Sequence, residues 1–265
     1  MTWTLTASGT KTATVGSAPF ALTAGASFTT ASTTITLAAA TDIDRILPGM
    51  TVYDVTAVGV VGTVSSVTAL TITLVAASAI NSSGAADALV VYYASCAISI
   101  ASPAVVTLAN TCAAGDQVIF STTGALPTGI AAGTIYYVIA AGLSGSQFEF
   151  SATPGGTAVV TSGTQSGVQT ASIGHLLVGS AVNATFVFEA DLSALANGDM
   201  AELQLMTTTL AGGTSQVAWE GFFKNAQISG HKTSPPVASD QQVQAFLWQF
   251  SAQTGRGFPW KLLSI

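Results

Sequence analysis

GALPTGIAAGTIYYVIAAGLSGSQFEF, residues Gly124 to Phe150, carries the fold reading of the whole chain. A Leu-Pro-Thr-Gly turn feeds Thr-Ile-Tyr-Tyr-Val-Ile, small residues interrupt, and Gln-Phe-Glu-Phe follows. Pro fixes φ and Gly supplies φ > 0 where turns need them. The β-branched and aromatic residues alternate with period two. The stretch holds a single charge, Glu149.

The same pattern extends outward in both directions. STTITLAAA (32–40), GMTVYDV (49–55), GTVSSV (62–67), LTITLVA (70–76) and ALVVYYAS (88–95) are short strand patterns spaced by turns. AVVTLA, DQVIFS, TIYYVIA, QFEFSA and TAVVTS form a second set between Ala104 and Ser162. A third begins at ATFVFEADL (184–192), where Phe186, Phe188 and Ala190 face one way and Val187, Glu189 and Asp191 the other. AELQLMTTT (201–209), QVAWEGFFKNAQI (216–228) and QVQAFLWQF (242–250) continue it, with SGHKTSPP as a loop. Trp248 and one of Trp219 or Phe222 are expected in its core. No amphipathic helix pattern occurs, so the expected fold class is all-β.

The last 95 residues hold more than half of the charged side chains and three of the four tryptophans. An echo joins the ends: TASGTKTATVGSA (6–18) against TASIGHLLVGSA (170–181). The charge shift and the echo predict an antiparallel β-sandwich core domain from residues 1–20 and 171–265. Two small β modules are inserted into it, at 21–100 and 101–170.

Composition narrows function. The chain is 49% hydrophobic and 7% charged with a net charge of −6, so it offers no basic stripe for a nucleic acid. No run approaches the ~20 apolar residues of a membrane span. The first residues lack the basic and apolar regions of a secretion signal. So little charge predicts a surface covered by other copies or other proteins.

Candidate chemistry is sparse. Cys96 and Cys112 lie far from either histidine and outside any metal-binding cluster; they read as buried free thiols or as a disulfide between neighbouring strands. His175 sits in an apolar strand and His231 in a polar loop beside Lys232, both as structural residues, and no Gly-x-Ser-x-Gly elbow exists. Asp42 and Asp44 read as turn and capping residues, since the acidic density of a calcium loop is missing and Arg45 follows. Glu149 and Glu189 form a glycosidase pair only if the fold brings them together. The sequons at Asn81 and Asn183 carry little weight without a secretion signal. No phosphate loop or dinucleotide fingerprint is found. The expectation is a protein without catalytic, metal or cofactor residues.

Cys112 to Gly167 resembles a module of tailed-bacteriophage structural proteins. The matching features are Ala-Gly-Asp-x-Val, Gly-Ala-Leu-Pro-x-Gly, Tyr-Tyr-Val, Phe-x-Phe and a Pro-Gly-Gly turn. Leu47 to Ser78 resembles a second phage module more weakly, and the two ends together resemble a small protein encoded near virion genes. The resemblance implies a virion component, on the outer surface, with no active site to carry over. A capsid decoration or cement protein is the leading reading; a tail fibre, adaptor or baseplate component is the alternative. A carbohydrate-binding β module and a glycan depolymerase are further alternatives. Expected partners are the major capsid protein or tail proteins and further copies of the chain, as a trimer, with no nucleic acid and no membrane. Phe258, Pro259, Trp260 and Lys261 are the expected contact with the core or a neighbouring subunit, or else an ordinary final strand.

Overall fold

The computed structural model describes residues 2–14, 20–22, 26–37, 46–68, 70–82, 87–181, 183–208, 213–251 and 254–265. Among them every regular element is a strand and every ladder is antiparallel, so the chain is all-β. A first group comprises β1 (Thr4–Thr12), β2 (Phe20–Ala21), β3 (Ala26–Ser27), β4 (Thr34–Leu37), β5 (Thr51–Asp54), β6 (Gly59–Thr68), β7 (Thr71–Leu74) and β8 (Leu89–Tyr92). There follow β9 (Ala97–Ile98), β10 (Val105–Thr107), β11 (Gln117–Thr122), β12 (Ile135–Val138), β13 (Gln147–Ser151) and β14 (Gln169–Ser180). The last are β15 (Ala184–Asp191), β16 (Met200–Thr208), β17 (Gln216–Lys224), β18 (His231–Thr233), β19 (Val237–Ser239), β20 (Gln242–Ser251) and β21 (Gly257–Ser264).

Three sheets result. β2-β8-β5-β6-β7-β4-β3 form one, β17-β16-β20-β14-β11-β12-β13-β10-β9 a second, and β1-β21-β15-β18 with β19 on β15 a third. The N-terminal strand therefore pairs with the C-terminal one, Thr4 opposite Ser264 and Thr12 opposite Gly257. Each stretch of sequence builds its own apolar cluster. Leu22 to Val91 supply one, including Ile35, Val52, Ile72 and Leu89. Cys96 to Ile173 supply another, around Phe120, Phe148 and Phe150. The third joins Phe186, Phe188, Phe258 and Leu262 of the five-stranded sheet to Leu203, Leu205, Val243 and Leu247 of the nine-stranded one. Burying a large apolar side chain contributes about 1.5–3 kcal/mol, so each cluster is a substantial share of local stability.

In the opening stretch, Tyr136 of β12 and Phe150 of β13 meet edge-on at 5.4 Å, with Phe120 of β11 4.9 Å from Phe150. The Tyr136 hydroxyl accepts the Ala131 N–H, which fixes the turn before its own strand.

Several expectations shift. The boundary drawn at residues 170/171 falls inside β14, whose first half pairs with β11 and second half with β20. One long strand thus passes from one cluster to the next without a linker. The boundaries at 20/21 and 100/101 fall inside β2 and between the paired strands β9 and β10. TAVVTS forms isolated bridges, not a strand. SGHKTSPP is not simply a loop: His231–Thr233 add to β15, where Asp191 stands opposite His231. QVAWEGFFKNAQI stops at Lys224 because Asn225 takes a left-handed φ of 62°. Trp248 is buried as expected, Trp219 is half-buried, and Phe222 is exposed. Trp248 is seated by Gly174: a Cβ at that position would fall inside the indole ring.

Gly174→Ala is therefore expected to lower stability by about 1–3 kcal/mol. Urea midpoints and the near-ultraviolet dichroism of the indole measure it. An unchanged midpoint would mean that Trp248 does not pack on residue 174.

Candidate functional site

The densest polar chemistry lies where β1, the 111–116 turn and β14 meet. Ala113-Ala-Gly-Asp116 is a turn in which the Asp116 N–H returns to the Ala113 carbonyl at 3.1 Å. Gly115 takes the φ of 96° that this turn needs. The turn aims the Asp116 side chain inward, where it is fully buried. Its Oδ2 accepts the Ala113 N–H at 2.9 Å and Oδ1 accepts the Leu176 N–H at 2.8 Å. His175, also fully buried, places Nδ1 2.6 Å from Oδ2.

The other face of the imidazole fixes its protonation. His175 Nε2 accepts the backbone N–H of Thr14 at 2.8 Å, so it carries a lone pair and the proton sits on Nδ1, donated to Asp116. The ring is neutral. Burial holds its pKa below the ordinary 6.5, against the opposing pull of Asp116. Lys11 Nζ, 3.8 Å from Oδ2, faces the carboxylate charge and also donates to the Thr111 carbonyl. Thr14 Oγ1 accepts the Thr111 N–H, and Thr111 Oγ1 donates to the Thr12 carbonyl.

A His–Asp pair invites comparison with the base of a nucleophilic triad. Here the nitrogen that would take a nucleophile's proton is occupied by a backbone N–H. Cys112, the adjacent thiol, has its pKa pushed up to about 12, by burial first and the Asp116 charge second. Burial does the same to Cys96. Neither is a thiolate at neutral pH. The arrangement holds three segments of chain together: a tie, with each polar atom facing a partner.

The remaining candidates are dispersed. Cys96 and Cys112 are both free, packed on the same cluster with Cys96 the more buried. Glu149 lies on β13 and Glu189 on β15, in different sheets. Asn81 accepts the Thr30 N–H. Asp42 and Asp44 lie outside the described residues. Among the described residues no three His, Cys, Asp or Glu side chains gather as metal ligands, and no helix is long and apolar enough to cross a membrane.

β21 runs between β1 and β15, so both its edges are paired. Phe258 is fully buried in the third cluster and Trp260 packs on that cluster half-buried. Pro259 and Lys261 face outward beside a groove of about 240 Å³, lined also by Glu189, Asp191 and His231. Lys261 Nζ meets Glu189 at 2.6 Å and His231 Nε2 lies 3.5 Å from the same oxygen. The Ser193 backbone N–H holds Asp191 below the usual carboxylate range.

Sequence reasoning missed Lys11, Thr14 and Asp116 as a unit. Asp116 did stand in the Ala-Gly-Asp-x-Val motif, but no spacing rule links it to residues 59 positions away.

No protein-family model matches the chain and no curated protein matches it. Among solved structures, the isomalto-dextranase of Arthrobacter globiformis T6, complexed with panose, is similar at 15% sequence identity and a TM-score of 0.22. That likeness covers 97% of this chain and 36% of the other.

Asp116→Ala strands the Nδ1–H, two backbone N–H groups and Lys11, and is expected to cost about 3–5 kcal/mol by urea denaturation. A buried neutral histidine also sets a pH dependence. Its folded pKa is depressed, so the unfolded chain binds the extra proton first; stability is complete above about pH 6.5 and declines below it. Midpoints measured from pH 7.5 to 5.5 should fall in the native chain and flatten in His175→Gln. An equal slope in both would remove His175 as the cause.

Proposed function

We propose that the chain is a structural component of a tailed-phage virion, acting by docking and not by catalysis. Its best placement is as a decoration protein on the outer surface of the capsid, held against the major capsid protein. The observation that carries this reading is the phage-type segment from Cys112 to Gly167. Its Ala-Gly-Asp-x-Val motif supplies the carboxylate that ties the segment to the chain ends. A motif spent on anchoring suits a module carried by different structural proteins.

The domain plan follows. On this reading the core drawn at 1–20 and 171–265 is a β-sandwich carrying 21–100 and 101–170 as inserted modules, with the second boundary moved into β14 at Gly174, where the strand changes neighbours. A surface with little charge fits repeated docking, where many modest contacts add up through multivalency. Tail fibre, adaptor or baseplate placement is the second reading, favoured by the same module, which serves reach as well as cover.

Copy number separates the two. Quantitative mass spectrometry of purified virions, referenced to the major capsid protein, should give hundreds of copies for a decoration protein. A few to some dozens would assign it to the tail. Absence from purified virions would overturn the proposal.

A further inference from the structure

β17 is the outermost strand of the nine-stranded sheet, with β16 on one side and no strand on the other among the described residues. Its one register shift lies near its start, and its exposed charges, Glu220 and Lys224, are of opposite sign. Val217 is 46% exposed and Phe222 51% exposed. A regular edge that shows apolar side chains is a template for another strand, and of the backbone here the Lys224 carbonyl accepts one bond, from Gln227 Nε2 at 2.7 Å. Two observations say which strand fits.

One is an aromatic ladder. Trp248 and Phe250 stack at 5.6 Å with their planes 6° apart, and Phe250 reaches Phe222 at 6.0 Å. The ladder ends on Phe222, at the rim, where the residue is half exposed. The other is charge. Glu220 and Lys224 flank Phe222 two residues to either side, on the same face of the strand. Four residues of strand separate them by about 13 Å, too far to pair within one chain. Neither makes an ion pair among the described residues, and Lys224 Nζ instead lies 5.7 Å from the Phe222 ring centre.

We propose that β17 pairs antiparallel with β17 of a second copy of this chain, about a two-fold axis at Phe222. Phe222 then meets Phe222 of the partner subunit and the two ladders become one. Glu220 faces Lys224 of the partner subunit, and the symmetry repeats that pair. Other registers fit less well. An axis at Glu220 sets two carboxylates face to face, and like charges directly opposite destabilise a ladder. An axis at Gly221 leaves both charges opposite apolar residues. The contact is isologous and closes on itself, so it makes a dimer in place of the trimer expected with the phage resemblance. It holds whether or not the chain belongs to a virion.

Sedimentation equilibrium of the full chain tests it. The native protein should be a dimer, Lys224→Glu should weaken association about tenfold, and the double swap Glu220→Lys with Lys224→Glu should restore it. Phe222→Cys adds a geometric test. Directly opposed residues place Cβ atoms about 4.5–5.5 Å apart, near the span of a disulfide. Mild oxidation should therefore link this variant into a covalent dimer. Val217→Cys should stay unlinked, its two copies lying ten residues apart along the ladder, about 33 Å. The native chain, with its free Cys96 and Cys112, supplies the background. A monomeric native chain, cross-linking equal at 217 and 222, or a charge swap that fails to restore association in protein with native dichroism would each overturn the proposal.

Discussion

A carboxylate taken out of water must be met on every side, and the contact between Asp116 and His175 is where this chain meets that demand. Desolvating one such ion costs several kcal/mol before its partners are counted. Those partners come from its own turn, Ala113, and from two remote parts of the sequence, His175 and Leu176 of β14 and Lys11 of β1. The position matters as much as the chemistry. Pairing of β14 with β11 ends at Gly174 and pairing with β20 starts there, so the tie sits where one strand changes neighbours. Trp248 lies across the same glycine. A strand that serves two sets of neighbours needs its register fixed at the crossing, and the imidazole fixes it by bonding to a third segment at Thr14.

A second turn uses the same device. Ala196-Asn-Gly-Asp199 returns the Asp199 N–H to the Ala196 carbonyl at 3.0 Å, with Gly198 at φ 90°. Asp199 Oδ2 accepts the Ala196 N–H at 2.9 Å, as Asp116 does with Ala113. Each turn leads straight into a strand, β11 or β16, and each spends its carboxylate on a distant cation or imidazole. For Asp199 the partner is Arg256, at 2.8 Å. Tyr93, at the end of the first group of strands, lies near enough to both for their charges to act on its hydroxyl, whose pKa burial pushes up to about 12. Leu47 packs over Gly198. The end of the first group of strands and the start of β11 thus each meet distant chain at an Ala-x-Gly-Asp turn.

Much of this fold was legible because period-two alternation is local. Phe186, Phe188 and Ala190 announce a buried face in five residues, and all three are buried. Turn glycines were legible for the same reason. Pairing partners were not: nothing in HKT marks it as a strand, and it becomes one because β15 offers an open edge. TAVVTS has a strand's composition but makes only isolated bridges, because composition alone does not supply a neighbour. The tie was invisible for a related reason. A lone histidine in an apolar strand reads as structural, but its partners at Thr14 and Asp116 are 161 and 59 residues away. Residues of the terminal strand, read as a contact or as an ordinary final strand, divide by alternation: Phe258 inward, Pro259 and Lys261 outward.

Edges explain how a chain with so little charge keeps three sheets apart. Most sheet ends are too short to recruit a strand: β2, β3 and β9 have two residues each, and β18 and β19 three. β1 is nine residues long, but a register shift between Leu5 and Ala7 breaks its line, and Lys11 sits near its end. Bulges, charges and brevity are the usual guards against pairing. β17 has a register shift only near its start, between its partners Leu205 and Met206, which leaves Glu220 to Lys224 regular. That segment is also where the sheet's aromatic stack comes to the surface. Both long edges carry a register shift and a lysine; what sets β17 apart is a regular five-residue segment in which an aromatic ring, Phe222, is bracketed by charges of opposite sign.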